Sequence, residues 1–252
     1  MGQLQDRVAL ITGGESGIGL ATARLFVREG ARVHLVGLRQ DALDAAVAEL
    51  GAGAALGTRA DVTDEAAVRD AVEAGYRHFG RLDVLVSNAG TSGASAPIPD
   101  YPADVFAHTL AVHVGGAFHV LKHGLPRLPD GGCAVIMSSV TGLKGFPGSS
   151  GYVAAKHGQV GLMRAAAAEV AARRIRVNTL HPGPTSTPFQ DEIEMAATGL
   201  DQAEAAQAFD RMIPLGRHTT PEEIAQAVLY LASDAGAMIT STTFVVDGGL
   251  SG

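Results

Sequence analysis

Seven short runs rich in β-branched residues, at 7–12, 32–37, 55–60, 82–87, 133–139, 174–180 and 242–247, punctuate a chain of 252 residues. Between them lie longer Ala/Leu-rich stretches of helical period, at 18–29, 40–50, 64–79, 101–128, 152–172 and 222–233. Few architectures accommodate that rhythm. A strand, a helix and a second strand in succession require a parallel pair with a right-handed crossover, and repeated units build a parallel sheet with helices on both faces. Runs that are apolar throughout, such as Ala134-Val135-Ile136-Met137, suit strands buried on both sides. The reading is α/β: a doubly wound parallel sheet of about seven strands, with 1–252 as one domain, because no linker or composition shift divides the chain.

Composition removes several classes of function. Lys plus Arg number 19 against 26 Asp plus Glu, a net charge of −7, so there is no basic face for nucleic acid or an anionic membrane. One cysteine excludes a disulfide framework and a Cys-cluster zinc site, and no metal is expected. Cys133 opens an apolar run and reads as a small buried residue rather than a reactive thiol. The first apolar run, Val8 to Ile11, is too short for a signal peptide or a membrane span, so a soluble cytoplasmic protein is expected. The 32 glycines sit at turns without a fixed period, which rules out collagen and low-complexity readings.

The first strand runs into Thr12-Gly13-Gly14-Glu15-Ser16-Gly17-Ile18-Gly19, where a helix begins. A strand, a glycine turn and a helix N-terminus make an anion site, because free backbone N–H groups and the positive dipole end face a pyrophosphate. Gly13, Glu15, Ser16, Gly17, Ile18 and Gly19 are therefore candidate cofactor ligands, although the spacing is G-x-x-x-G-x-G rather than G-x-G-x-x-G. Ligands of open α/β sheets bind at strand C-terminal ends, which adds Asp61-Val62 after the third strand and Asn88-Ala89-Gly90 after the fourth. Asp61 can accept from an adenine amino group; equally, it can cap the helix opening at Asp64.

Together, Thr12–Gly19, Asn88-Ala89-Gly90, Ser139, Tyr152-x-x-x-Lys156, Pro182-Gly183 and the closing Val246-Asp247-Gly248-Gly249 resemble the short-chain dehydrogenase/reductase family from about residue 7 to 249. The resemblance implies a Rossmann-like fold with a seven-stranded sheet, a nicotinamide dinucleotide, a small carbonyl or alcohol substrate, and a homotetramer or homodimer. It makes Tyr152 the acid/base, Ser139 the residue that orients the substrate oxygen, and Lys156 both a tuner of the tyrosine and a ribose ligand. Residue spacing agrees. Tyr152 and Lys156, four apart on a helical stretch, share one face. An ammonium beside a phenol should lower the tyrosine pKa from about 10 toward the working pH, and an oxidised nicotinamide adds to this. A phenol so tuned exchanges a proton with a carbonyl or alcohol oxygen as hydride moves. Ser138 adjoins Ser139 but lies on the opposite pleat, which suits a structural role. The Pro182-Gly183-Pro184-Thr185-Ser186-Thr187 turn resembles the family's nicotinamide wall, with Thr185 and Thr187 as candidate carboxamide contacts; the alternative is a proline-stiffened turn without a ligand.

Two departures stand out. Where the family carries an asparagine in its long central helix, this chain has His113, within Leu110-Ala111-Val112-His113-Val114-Gly115-Gly116. Either the imidazole joins the proton relay, or it is an ordinary hydrogen-bonded helix histidine. The end of the second strand, Val36-Gly37-Leu38-Arg39, lacks the carboxylate that NAD users place there. Arg39 can pair with a 2′-phosphate, while Leu38 and Ser16 are not basic and Glu15 adds negative charge. The balance leans to NADP, with NAD as the alternative.

Thr91–Ser95, Leu143–Phe146, Phe189, Met195, Phe209 and Met212 are candidate pocket residues, mostly apolar, pointing to an uncharged ketone or secondary alcohol; they can equally be core. The weakly periodic 186–217 segment reads as a substrate lid or as a plain surface helix pair. Ala165–Ala168 suit either close subunit packing or simple helix propensity. The competing function is a dinucleotide-binding regulator without turnover, against which the intact Ser139, Tyr152 and Lys156 weigh.

Overall fold

The computed structural model describes residues 2–252. Seven parallel strands, β1 (Val8–Thr12), β2 (Arg32–Gly37), β3 (Ala55–Arg59), β4 (Val84–Ser87), β5 (Cys133–Met137), β6 (Arg176–Pro182) and β7 (Thr243–Val246), form one sheet ordered β3-β2-β1-β4-β5-β6-β7. Side-chain alternation splits each central strand between two cores. On one face Ala9, Ile11, Val84, Val86, Cys133 and Val135 pack under α1 (Gly17–Arg28), α2 (Gln40–Leu50) and α9 (Pro221–Ala232). On the other, Val8, Leu10, Leu85, Ala134 and Ile136 pack under α3 (Glu65–Phe79), α5 (Gly116–Gly124) and α6 (Ser150–Val170). Burial pushes the Cys133 thiol up to about 11, which leaves it protonated and unreactive.

The chain winds outward from β1 to β3, then returns to β4 and winds the other way. That reversal leaves a crevice beyond the C-terminal ends of β1 and β4, the place where open α/β sheets bind ligands. Asn88 holds the crevice in shape. Its Nδ2 donates to the Thr12 and Gly13 carbonyls at 3.0 and 3.2 Å, while Thr12 Oγ1 accepts from the Asn88 and Ala89 N–H groups at 3.0 and 3.1 Å.

One helix and one strand depart most from the sequence reading. The stretch expected as one helix at 101–128 divides into α4 (Ala103–Leu110), a π-turn (Ala111–Gly115) and α5. A π-turn widens the helix by one residue and marks functional positions; this one holds His113. The sixth strand starts later and ends later than expected, because Arg174 turns at φ 55° and His181 and Pro182 pair with Val245 and Val246. The 186–217 segment contains a helix pair, α7 (Pro188–Thr198) and α8 (Gln202–Asp210). No helix among the described residues is long and apolar enough to cross a membrane.

Candidate active site

A cleft of about 430 Å³ opens over the C-terminal ends of the central strands. Its near wall is the turn after β1: Gly13, Glu15, Ser16, Gly17 and Ile18 all face it. Ser16 caps α1 without a side-chain hydrogen bond, so the first-turn N–H groups stay available to an anion. Gly19 lies in the first turn of α1, beneath the glycine loop. A Cβ there would fall 2.1 Å from the Gly13 carbonyl oxygen and 2.8 Å from Asn88 Nδ2, so its part is to let the helix close against the turn. Arg39 is exposed at the N-cap of α2, next to Leu38 of the cleft wall but not itself part of that wall.

Asp61, Val62, Ala89 and Gly90 line the middle of the cleft with Asn88. Asp61 does not cap α3; Asp64 does, accepting from the Ala66 and Ala67 N–H groups. The Asp61 carboxylate instead accepts from Thr63 N and Thr63 Oγ1, both at 2.8 Å, and keeps its place on the cleft wall. Pro182, Gly183, Thr185 and Thr187 form the far wall. Thr185 Oγ1 donates to the Gly183 carbonyl at 3.0 Å and pairs with Thr219 Oγ1 at 2.8 Å, and Thr187 Oγ1 caps α7 by accepting from Gln190 N. These hydroxyls hold the turn in shape as well as facing the cleft.

At the floor, α6 brings Tyr152 and Lys156 to the end of β5, beside Ser139. Lys156 is buried; its Nζ donates to the Met137 carbonyl at 2.7 Å and stands 5.2 Å from the centre of the Tyr152 ring. Burial pulls the lysine down to about 7. The same burial raises the Tyr152 phenol above its ordinary value, and the Ser139 hydroxyl pulls only partly the other way. Spacing alone predicts a phenol made acidic by its neighbour; desolvation reverses that expectation, because a phenolate in a low-dielectric site loses its hydration. Ser138 is structural as expected, its hydroxyl donating to the Lys156 carbonyl at 3.0 Å.

Sequence reasoning missed His181. Its Nδ1 lies 2.6 Å from the Ser139 carbonyl and its Nε2 2.8 Å from Thr179 Oγ1, so it fixes the backbone that carries the serine hydroxyl. Burial lowers its pKa to about 4, leaving it neutral. A histidine directly after the sixth apolar run is the signal that could have found it.

His113 faces the same floor, edge-on to Tyr152 with ring centres 5.2 Å apart. Its Nε2 lies 2.8 Å from the Thr91 carbonyl oxygen and 3.2 Å from Thr91 N, and its own carbonyl accepts from Gln159 Nε2 at 3.1 Å. Burial, with the Lys156 charge adding, lowers the imidazole to about 3. Burial disfavours the imidazolium, while Nδ1 is buried and without a hydrogen-bond partner. The ring holds the Thr91 backbone and packs against the tyrosine ring.

Of the candidate pocket residues, Thr91 and Phe189 line the cleft, while Leu143–Phe146, Met195, Phe209 and Met212 do not. Phe189, at the start of α7, lies 6.4 Å from Tyr152 between ring centres. His218 clasps the helix pair, with Nε2 2.6 Å from buried Glu194 on α7 and Nδ1 2.7 Å from Asp210 on α8. Burial disfavours its cation, but the two carboxylates outweigh that and raise its pKa above 6.5.

A family model described as enoyl-(acyl carrier protein) reductase matches residues 13–251. Levodione reductase of Leifsonia aquatica is 37% identical over 252 residues, covering 98% of this chain and 94% of that protein. Cis-4-hydroxycyclohexanecarboxylate dehydrogenase of Sinomonas cyclohexanicum is 39% identical over 247 residues, covering 97% and 96%. The crystal structure of levodione reductase superposes with a TM-score of 0.94 at 38% identity, covering 98% of each chain.

Proposed function

The chain belongs to the short-chain dehydrogenase/reductase family of oxidoreductases, and on that footing we propose that it moves a hydride between a nicotinamide dinucleotide, NAD or NADP, and the carbon of an apolar cyclic ketone or secondary alcohol. One observation carries the reading: Ser139, Tyr152 and Lys156 stand on the floor of the cleft whose other end is the glycine turn. The dinucleotide supplies or takes up the hydride when bound. The residues fit that group, since the α1 N-terminus is open to its phosphates and a buried Glu15 oxygen beside it has no partner.

In this reading Tyr152 holds a proton at the substrate oxygen while Ser139 accepts or donates at the same oxygen and so orients it. Burial favours the neutral phenol, which can give its proton to a carbonyl oxygen, and the phenolate left behind can take one back from an alcohol, so the pair serves either direction. Lys156 presents a charge near the ring that stabilises the phenol's anion once the proton has left. Phe189, Val112 and the His113 ring give the substrate end an apolar wall, which supports an uncharged ring as substrate, as does the cyclohexane ring in the name of one relative. The 186–217 helix pair acts as the lid, a role supported by Phe189 and Gln190 in the cleft wall. Exposed Ala165 and Ala168 on α6 support packing against further copies as a homotetramer or homodimer, and the single buried thiol suits the cytoplasm.

Absorbance of the reduced nicotinamide, followed with a panel of cyclic ketones and alcohols and both dinucleotides, tests the proposal. Turnover is expected; tight dinucleotide binding without turnover across the panel would instead favour a regulator. His113→Ala is expected to lower kcat about tenfold by loosening the tyrosine, with both limbs of the pH–rate profile unmoved. Loss of one limb would restore the relay role.

A further inference from the structure

The end of β2 lacks a carboxylate in sequence but not in space. Glu15, from the turn after β1, reaches across to it. A Cβ built on Gly37 would meet Glu15 Oε2 at 2.1 Å and Cδ at 2.3 Å, so the carboxylate fills the room that a side chain on the last residue of β2 would use. The Leu38 N–H donates to Glu15 Oε1 at 3.2 Å, and Gly13 N donates to the Val36 carbonyl at 2.7 Å, which ties the turn to the strand. Oε2 is buried and has no hydrogen-bond partner. Glu15, Gly37 and Leu38 all line the cleft. A buried carboxylate oxygen left unpaired is costly, so a site of this kind is built for a donor that arrives with a ligand.

We propose that Glu15 stands in for the missing β2 carboxylate: it accepts hydrogen bonds from the adenosine ribose hydroxyls and selects NAD(H) against NADP(H). In dinucleotide folds a carboxylate at the end of β2 receives the ribose 2′-hydroxyl. A 2′-phosphate in that place brings nearly two negative charges against the glutamate and offers no proton to Oε2. Glycine at 37 is what admits the carboxylate. Arg39, the residue that favours NADP on sequence grounds, is exposed and outside the cleft wall, so it offers no preformed partner for a phosphate. The inference rests on the dinucleotide reading above and reverses the leaning to NADP.

Equilibrium titration of nucleotide fluorescence with the intact protein, using NADH and NADPH, tests it without any substrate. The wild type is expected to bind NADH about a hundredfold more tightly than NADPH, the size of a like-charge penalty at close range. Glu15→Gln, which keeps an amide oxygen for the Leu38 N–H, is expected to weaken NADH and strengthen NADPH until the two differ by less than about tenfold. Arg39→Ala is expected to leave the ratio unmoved. A wild type that binds both equally or prefers NADPH overturns this inference alone, and needs no variant to fold. So does a Glu15→Gln protein with an unchanged melting temperature and an unchanged ratio. Failure of both nucleotides to bind would overturn the dinucleotide reading and this inference together.

Discussion

Replacing Tyr152 with phenylalanine is expected to lower kcat by about three orders of magnitude while the dinucleotide Kd stays within about threefold. The change removes one oxygen. Phenylalanine keeps the ring that packs edge-on against His113 and beside Phe189, so the floor of the cleft retains its shape. What disappears is the proton held at the substrate oxygen. Ser139 can still hold that oxygen, but a serine hydroxyl has no neighbouring base here to take up or release charge. Its carbonyl is engaged by His181, and its Oγ accepts from Thr141 N. Steady-state kinetics with the best substrate from the panel, beside fluorescence titration of nucleotide, separates the two effects. A variant within about tenfold of wild type would move the acid/base role elsewhere.

Lys156→Met is expected to be nearly as severe, with kcat/KM lower by about two to three orders of magnitude, and it carries a signature in stability. The lysine is buried, tethered to the Met137 carbonyl, and pulled down to about 7 from an ordinary 10.5. A group whose folded pKa is depressed adds its stability above the unfolded value and loses it as pH falls through the folded value. Between the two the unfolded chain binds a proton that the folded protein does not, so stability contributed by this site rises with pH from about 7 to 10.5. Methionine fills similar space and carries no proton. Denaturant midpoints measured across that range should therefore rise for the wild type relative to Lys156→Met. Parallel curves would mean that the amine is not desolvated as its surroundings indicate.

The parts of this molecule that local patterning controls were legible in the sequence. A parallel sheet buried on both faces leaves apolar runs, and the glycine turn at the switch point must follow the first of them, so fold and cleft ends could be read in order. Whether Gly19 faces the ligand or lies under the loop depends on Asn88, which follows a strand far along the chain. The break at Ala111–Gly115 was invisible because Ala, Val and Gly support an ordinary helix on paper as easily as a π-turn. The Tyr152 pKa departs from the spacing argument for a related reason: spacing shows the cation four residues on, whereas the ring packs against His113 of the π-turn and Phe189 of α7, far from it in sequence. The placement of Glu15 was hidden on the same grounds. Sequence proximity to the end of β2 favours Arg39, yet the side chain that occupies that end comes from 23 residues before Leu38.

Hydride transfer itself can be followed directly. The protein is mixed with a reduced dinucleotide carrying deuterium at both positions of nicotinamide C4 and a cyclic ketone that it turns over, and the alcohol product is examined by mass spectrometry and NMR. The proposed chemistry places one deuterium on the carbinol carbon, in a single configuration, in the wild type, with formation of that product slowed about a thousandfold in Tyr152→Phe. Product without deuterium, or labelled product formed equally fast by the variant, would contradict it.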